Sequence, residues 1–152
     1  MSEKDPQAMA RMRRIIAEAD DSPLLAIAQL EDLACAAEKE DAAALAAASA
    51  GSIPLYCQGP TARYFVSLVS DSPKDRYVRV SDIGYLSREA LADLYLKIGD
   101  EDAALAQAQR CLELAPSSTG AYTGLASVYA ARNQFDKAIE PLVIALHLEG
   151  TR

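Results

Sequence analysis

The chain has 152 residues and among them no tryptophan, one histidine, three cysteines and no long apolar run. Each shortage excludes something. With His147 as the only imidazole, neither a histidine-based metal cluster nor a Cys–His pair with a separate orienting group is supported. Cys35, Cys57 and Cys111 are odd in number and show no CxxC spacing. That argues against a disulfide framework or a zinc site and points to three buried or half-buried thiols. Gly51, Gly59 and Gly84 are scattered, so there is no glycine-rich phosphate loop. The carboxylates Asp100-Glu101-Asp102 lie in a turn, where capping and solvation account for them. The expectation is a protein without catalytic residues, metal or cofactor. No apolar stretch reaches the ~18 residues of a membrane helix. Residues 1–20 are polar, without the apolar region of a signal peptide, so a cytoplasmic location is expected. Basic charge is short as well: the net charge is −7. An acidic chain gains nothing from a phosphate backbone, so nucleic acid is not an expected partner.

What is present is alanine and a helical rhythm. Hydrophobic residues make up 51% and charged residues 24%, ordinary values for one globular domain. Pro6 to Ala19 reads as a first helix, capped by Asp5, with an apolar stripe of Met9, Met12, Ile15 and Ile16. Ser22-Pro23 restarts the chain into a helix to about Glu38, with Leu24, Ile27, Leu30, Leu33 and Ala34 inward. Glu38-Lys39-Glu40 reads as a polar turn before an alanine-rich helix from Asp41 to Ala50. Residues 52–84 differ. They hold three of the seven prolines and a cluster of aromatics. Residues 61–70 fit a short helix or a strand, with helix preferred, and Tyr77-Val78-Arg79-Val80 alternates as a short strand does, so an extended segment is expected at 76–80. Residues 61–84 carry four Lys/Arg against three Asp/Glu, a slight basic excess in an acidic chain.

From Tyr85 onward the chain repeats itself at a period of 34. Leu91, Ala92 and Tyr95 fall on Leu125, Ala126 and Tyr129; Ala104 falls on Ala138; Leu112 and Leu114 fall on Leu146 and Leu148. A fixed period of this length marks a repeat architecture. Within each copy two helical apolar runs flank a turn, Gly99-Asp100 in the first. The product is a helical hairpin, made twice. Leu91, Tyr95, Ala104, Leu112, Leu125, Tyr129, Ala138 and Leu146 are the expected core.

The pattern Leu91-Ala92-x-x-Tyr95, Gly99-Asp100, Ala104, Cys111-Leu112-x-Leu114-x-Pro116 resembles the tetratricopeptide repeat. Tyr122, Leu125-Ala126, Tyr129, Phe135, Ala138 and Ala145-Leu146 resemble it again. Departures are Arg88 where the family favours a large aromatic, Glu101 where the second copy has Phe135, Asn133 for Gly99 and Gly150 for Pro116. The resemblance implies an all-α stack of helical hairpins, with an irregular connector holding short strands. The division is 1–60 (a degenerate repeat at about 24–57), connector 61–84, and repeats 85–118 and 119–152. It implies a protein–protein scaffold or adaptor. In the family the first helix of each repeat lines a concave groove. The matching residues here are Leu86, Glu89, Asp93, Leu96 and Lys97, then Gly120, Thr123, Ser127, Ala130 and Ala131. Some members grip a terminal carboxylate there with Lys and Asn; Glu89 and Asp93 would repel one. The groove is therefore expected to prefer partners that are not acidic.

Two other functions fit the residues. One is a small acidic chaperone of the kind that shields secreted proteins, which size and charge resemble. The other is a homo-oligomer. The last helix carries Pro141, Val143 and Ile144 where the first copy has Gln107, Gln109 and Arg110, so it is apolar almost all round. Ile139, Val143 and Ile144 are the expected self-association residues, and a twofold homodimer is the expected assembly; the alternatives are that the basic, aromatic segment 61–84 folds back over this helix or that a further repeat of a longer protein covers it.

Overall fold

Two turns 34 residues apart close in the same way. Gly99 has φ +85° and Asn133 has φ +59°, the left-handed conformation that glycine adopts freely and asparagine tolerates. At the first, the Gly99 amide donates to the Leu96 carbonyl (3.1 Å) and the Asp100 amide to that of Tyr95 (2.9 Å). At the second, Asn133 donates to Ala130 (3.0 Å) and Gln134 to Tyr129 (2.8 Å). Both are Schellman closures. The replacement of Gly99 by Asn133 thus keeps the turn. Asp100 also caps the helix that follows, its Oδ1 accepting from the Ala103 amide at 3.1 Å.

A computed structural model describes residues 4–48, 53–55, 77–79, 82–115 and 118–150. Its elements are α1 (Lys4–Ala17), α2 (Pro23–Ala48), β1 (Ile53–Leu55), β2 (Tyr77–Arg79), α3 (Ile83–Lys97), α4 (Glu101–Leu114), α5 (Thr119–Ala131) and α6 (Phe135–Gly150). α3–α4 and α5–α6 are the two hairpins, stacked through α4 against α5. β1 and β2 pair in parallel, Ile53 opposite Tyr77 and Leu55 opposite Arg79. The extended segment expected at 76–80 is therefore present at 77–79. The helix preferred at 61–70 lies outside the described residues.

The core has two parts. Met12 and Ile15 of α1, Ile27, Leu30, Leu33 and Ala34 of α2, and Leu91 and Leu94 of α3 form one cluster. Ala92, Ala104, Ala108, Leu125 and Val128 form the other, with Tyr95, Leu105, Leu112 and Tyr129 packed at its edge. Four of the first five residues in that second cluster are small or β-branched, so α3, α4 and α5 approach closely there.

Several expectations need correction. α2 runs unbroken through Glu38-Lys39-Glu40, so the turn expected there is absent; Glu, Lys and Ala are all good helix formers and no Gly or Pro interrupts them. α1 already includes Asp5, which therefore is not its cap. Leu24 is 70% exposed and Ile16 41%, because the apolar stripe of each helix is narrower than its sequence suggests. Cys35 is exposed, whereas Cys111 is buried as expected; Cys57 lies outside the described residues. Leu146, expected in the core, is 73% exposed, while Leu148 is buried. Leu112, its equivalent, is half-buried because α5 lies over that side of α4. Among the described residues no helix covers the matching side of α6. Pro141 is inside α6, which continues past it as one helix.

Candidate functional site

α3 and α5, the first helices of the two hairpins, lie side by side and carry the residues expected to line a groove. The Tyr85 hydroxyl donates to Glu89 Oε2 at 2.6 Å and lies 3.0 Å from Ser118 Oγ. Burial raises the Tyr85 pKa well above its usual range, and the hydrogen bond to Glu89 raises it further. A methyl group on Gly120 would stand 3.1 Å from Glu89 Oε2 and 3.3 Å from the Tyr85 oxygen. Glycine at 120 thus lets the first turn of α5 come up against this pair. Glu89 is half-buried and accepts from Tyr85 one turn earlier on α3, close against the start of α5, so it is not the free groove charge the sequence suggested.

Further along, Asp93 and Lys97 are exposed, and Leu96 and Leu86 are half-buried. Burial pushes the Asp93 carboxyl pKa up, with Lys97 pulling it part of the way back. Lys97 Nζ contacts Asp20 Oδ1 at 2.9 Å, so the cation of the groove edge is tied to the α1–α2 turn. On α5 the groove side is nearly bare. Thr123, Ser127 and Ala131 are exposed and Ala130 half-buried. Thr123 Oγ1 donates to the Gly120 carbonyl (3.2 Å) and Ser127 Oγ to that of Thr123 (2.9 Å), so both hydroxyls are turned back onto their own helix.

On another side, Leu112 of α4, Tyr122, Leu125 and Tyr129 of α5, and Pro141 and Ile144 of α6 line a cleft of about 290 Å³. Ile144 packs beside Tyr122 and Leu148, so it belongs to this cleft and not to the outer face of α6. Phe135, Ile139, Leu142, Val143 and Leu146 make that outer face and are all exposed. Of the expected self-association residues, Ile139 and Val143 share it. Among the described residues no group of three or more metal-ligating side chains occurs. Burial raises the Cys111 thiol to about 12, so it stays protonated and inert near neutrality.

The family model for the tetratricopeptide repeat matches residues 87–128, from the first turns of α3 into α5. That stretch is similar to a tetratricopeptide repeat. No curated protein and no solved structure matches it.

The repeat explains what sequence reasoning missed. Arg88, standing where the family favours an aromatic, is the hub of a polar network. Its Nε and Nη2 donate to the two Glu38 oxygens at 3.0 and 3.1 Å. Its Nη1 reaches Gln107 Oε1 at 3.0 Å and Glu31 Oε2 at 3.4 Å. The Tyr95 hydroxyl donates to Glu31 Oε1 at 3.0 Å, and Arg110 lies 3.6 Å from Glu38. Burial raises the Glu38 pKa, but hydrogen bonds and charge from Arg88, then Arg110, outweigh it and hold the carboxyl below its ordinary value. A two-pronged Arg–carboxylate pair thus joins α2 to the repeat where an aromatic would pack. The available signal was the pair Glu31 and Glu38, seven residues apart on one face of a helix, together with the odd Arg88.

Proposed function

We propose that this chain is a non-enzymatic scaffold that holds another protein in the α3–α5 groove. Tetratricopeptide repeats are protein–protein interaction modules. One observation carries the reading: along α5 the groove side shows only small side chains, opposite an exposed acid, Asp93, and a half-buried Leu96. A bare wall beside an acid and an apolar residue suits a neutral or basic segment lying against the helix. The groove residues are Leu86, Asp93, Leu96, Thr123, Ser127, Ala130 and Ala131; Lys97 and Glu89 position its edges. The division at 60, 84 and 118 remains our working one. The exposed thiol of Cys35 accords with a reducing compartment such as the cytoplasm. The test fills the groove. Thr123→Arg/Ser127→Arg places two bulky cations one turn apart on exposed positions, and Asp32→Lys serves as a surface control. Partners captured from lysate by the wild type are expected to survive in the control and to vanish with the groove variant. Equal capture by all three proteins moves the site elsewhere. This assay also covers the chaperone reading, in which the captured partner is a secreted protein.

A second reading is self-association through α6, favoured by its exposed apolar face. Sedimentation at micromolar concentration tests it: a wild type that stays at 16.3 kDa rejects it.

A further inference from the structure

The outer face of α6 is a regular strip. Phe135, Ile139, Leu142 and Leu146 follow one another at steps of 4, 3 and 4, so they lie along one side of the helix. Moved back by 34, Ile139, Leu142 and Leu146 become Leu105, Ala108 and Leu112 of α4. There the face is occupied, because Leu105, Ala108 and Leu112 pack with Leu125 and Val128 of α5. α6 thus offers the face on which α4 receives a helix, and among the described residues nothing lies on it. The shape that fits is another helix, laid as α5 lies on α4.

The other exposed apolar groups gather mostly at the opposite end of the stack, with Ile16 on α1 and Leu24 and Leu25 at the start of α2. On α1 the side turned away from Met12 and Ile15 carries Ala10, Arg13, Arg14 and Ala17, with Ile16 at its edge, and all five are exposed. Two alanines and an isoleucine there leave room for the knobs of the α6 strip, and arginine stems cover apolar surface while their heads stay wet. Charge points the same way. α1 is the only described helix with a cationic excess, Lys4, Arg11, Arg13 and Arg14 against Asp5. α6 carries Asp136, Glu140 and Glu149 against Lys137. Asp136 and Glu140 are exposed and border the strip beside Val143.

We propose that copies of this chain associate head to tail, α1 of one copy lying on the apolar strip of α6 of another, with Arg13 and Arg14 over Asp136 and Glu140. This rests on the self-association reading and names the surface that α6 meets. It replaces the twofold arrangement, which would bring together two helices that each carry more acid than base. Unless its rotation closes a ring, a head-to-tail contact leaves one α1 and one α6 free on every assembly, so mass grows with concentration instead of stopping at a dimer.

The test uses two variants of the full chain. Arg13→Glu/Arg14→Glu spoils the α1 surface, and Leu142→Glu/Leu146→Glu spoils the α6 strip. All four positions are exposed, so both variants should keep the wild-type circular dichroism; if either unfolds, Arg13→Ala/Arg14→Ala or Leu146→Gln replaces it. In sedimentation velocity the wild type should rise through multiples of 16.3 kDa with concentration. Each variant alone should remain monomeric. Mixed together they should form one species of twice the monomer mass and nothing larger, because only one intact pair of surfaces is available. Added salt should weaken the wild-type assembly. If the α1 variant associates like the wild type while the α6 variant does not, α6 self-association stands and the head-to-tail contact is wrong. A mixture that stays monomeric also overturns the head-to-tail contact. A monomeric wild type rejects the self-association reading itself.

Discussion

Ser87 and Ala121 occupy the same place in the two copies, 34 residues apart, and both are buried. The Ser87 hydroxyl has no hydrogen-bond partner in the structure, so it loses water and gains nothing in return. Ser87→Ala, which writes the second copy's choice into the first, should therefore stabilise the protein by about 1 kcal/mol. Thermal melting should show a rise of roughly 2–4 °C, and a fall would mean that the hydroxyl does have a partner. Glu38 is the opposite case, a half-buried carboxylate with strong partners. Its folded pKa lies below the ordinary 4.5. The stability it contributes is thus fully present above pH 4.5 and is lost as the pH falls through the lower, folded value. Glu38→Gln should melt earlier than the wild type at neutral pH and lose less between pH 5 and pH 3. Parallel acid-stability curves for the two proteins would mean that the Arg88–Glu38 pair contributes little.

Between α4 and α6 the same sequence pattern produces two different burials. Cys111 and Ala145 are both buried, as are Leu114 and Leu148, since these positions face the first helix of their own hairpin. Leu112 and Leu146 match in sequence but not in environment, because a neighbouring helix covers only the first. Leu148→Ala should cost about 2–5 kcal/mol, as deletion of a packed leucine does. Leu146→Ala should change stability by no more than about 0.5 kcal/mol under conditions that keep the chain monomeric. Denaturant titration of the two variants separates them, and similar losses for both would show that the outer face of α6 is covered. This pair also marks how far the sequence could be read. The hairpins, the 34-residue register and both left-handed turns follow from residues adjacent in the chain, and periodicity reveals those. Whether an outward leucine is buried depends on a helix elsewhere, and no local pattern encodes that. The continuous α2 was missed for a different reason. A charged triplet of helix formers looks like a loop by polarity and like a helix by propensity, and propensity prevailed.

At the scale of the whole molecule, the repeats are bound to the N-terminal helices through two kinds of contact. Leu91 and Leu94 of α3 share a core with Met12, Ile15, Leu30 and Leu33, and Arg88 reaches Glu31 and Glu38 of α2 across the same interface. The sequence made the apolar half of this legible through the stripes on α1 and α2. The polar half was hidden, since Arg88 and its acids lie 50 and 57 residues apart. The groove was only partly legible. The repeat register put the proposed residues on α3 and α5, but Glu89 looked like a free acid; it accepts from Tyr85 one turn earlier on α3, and its approach to Gly120 depends on how α3 and α5 meet. Solenoid units are stabilised mainly by their neighbours, so two repeats stripped of one neighbour lose much of what holds them. A chain shortened to residues 80–152 would expose Leu91 and Leu94 and leave Arg88 without its carboxylates. We expect it to show low helicity and no cooperative melt, and α1 and α2 supplied as a separate peptide to restore both in part. A shortened chain that melts cooperatively as a monomer would mean that the two hairpins are self-sufficient and that α1 and α2 serve binding more than folding.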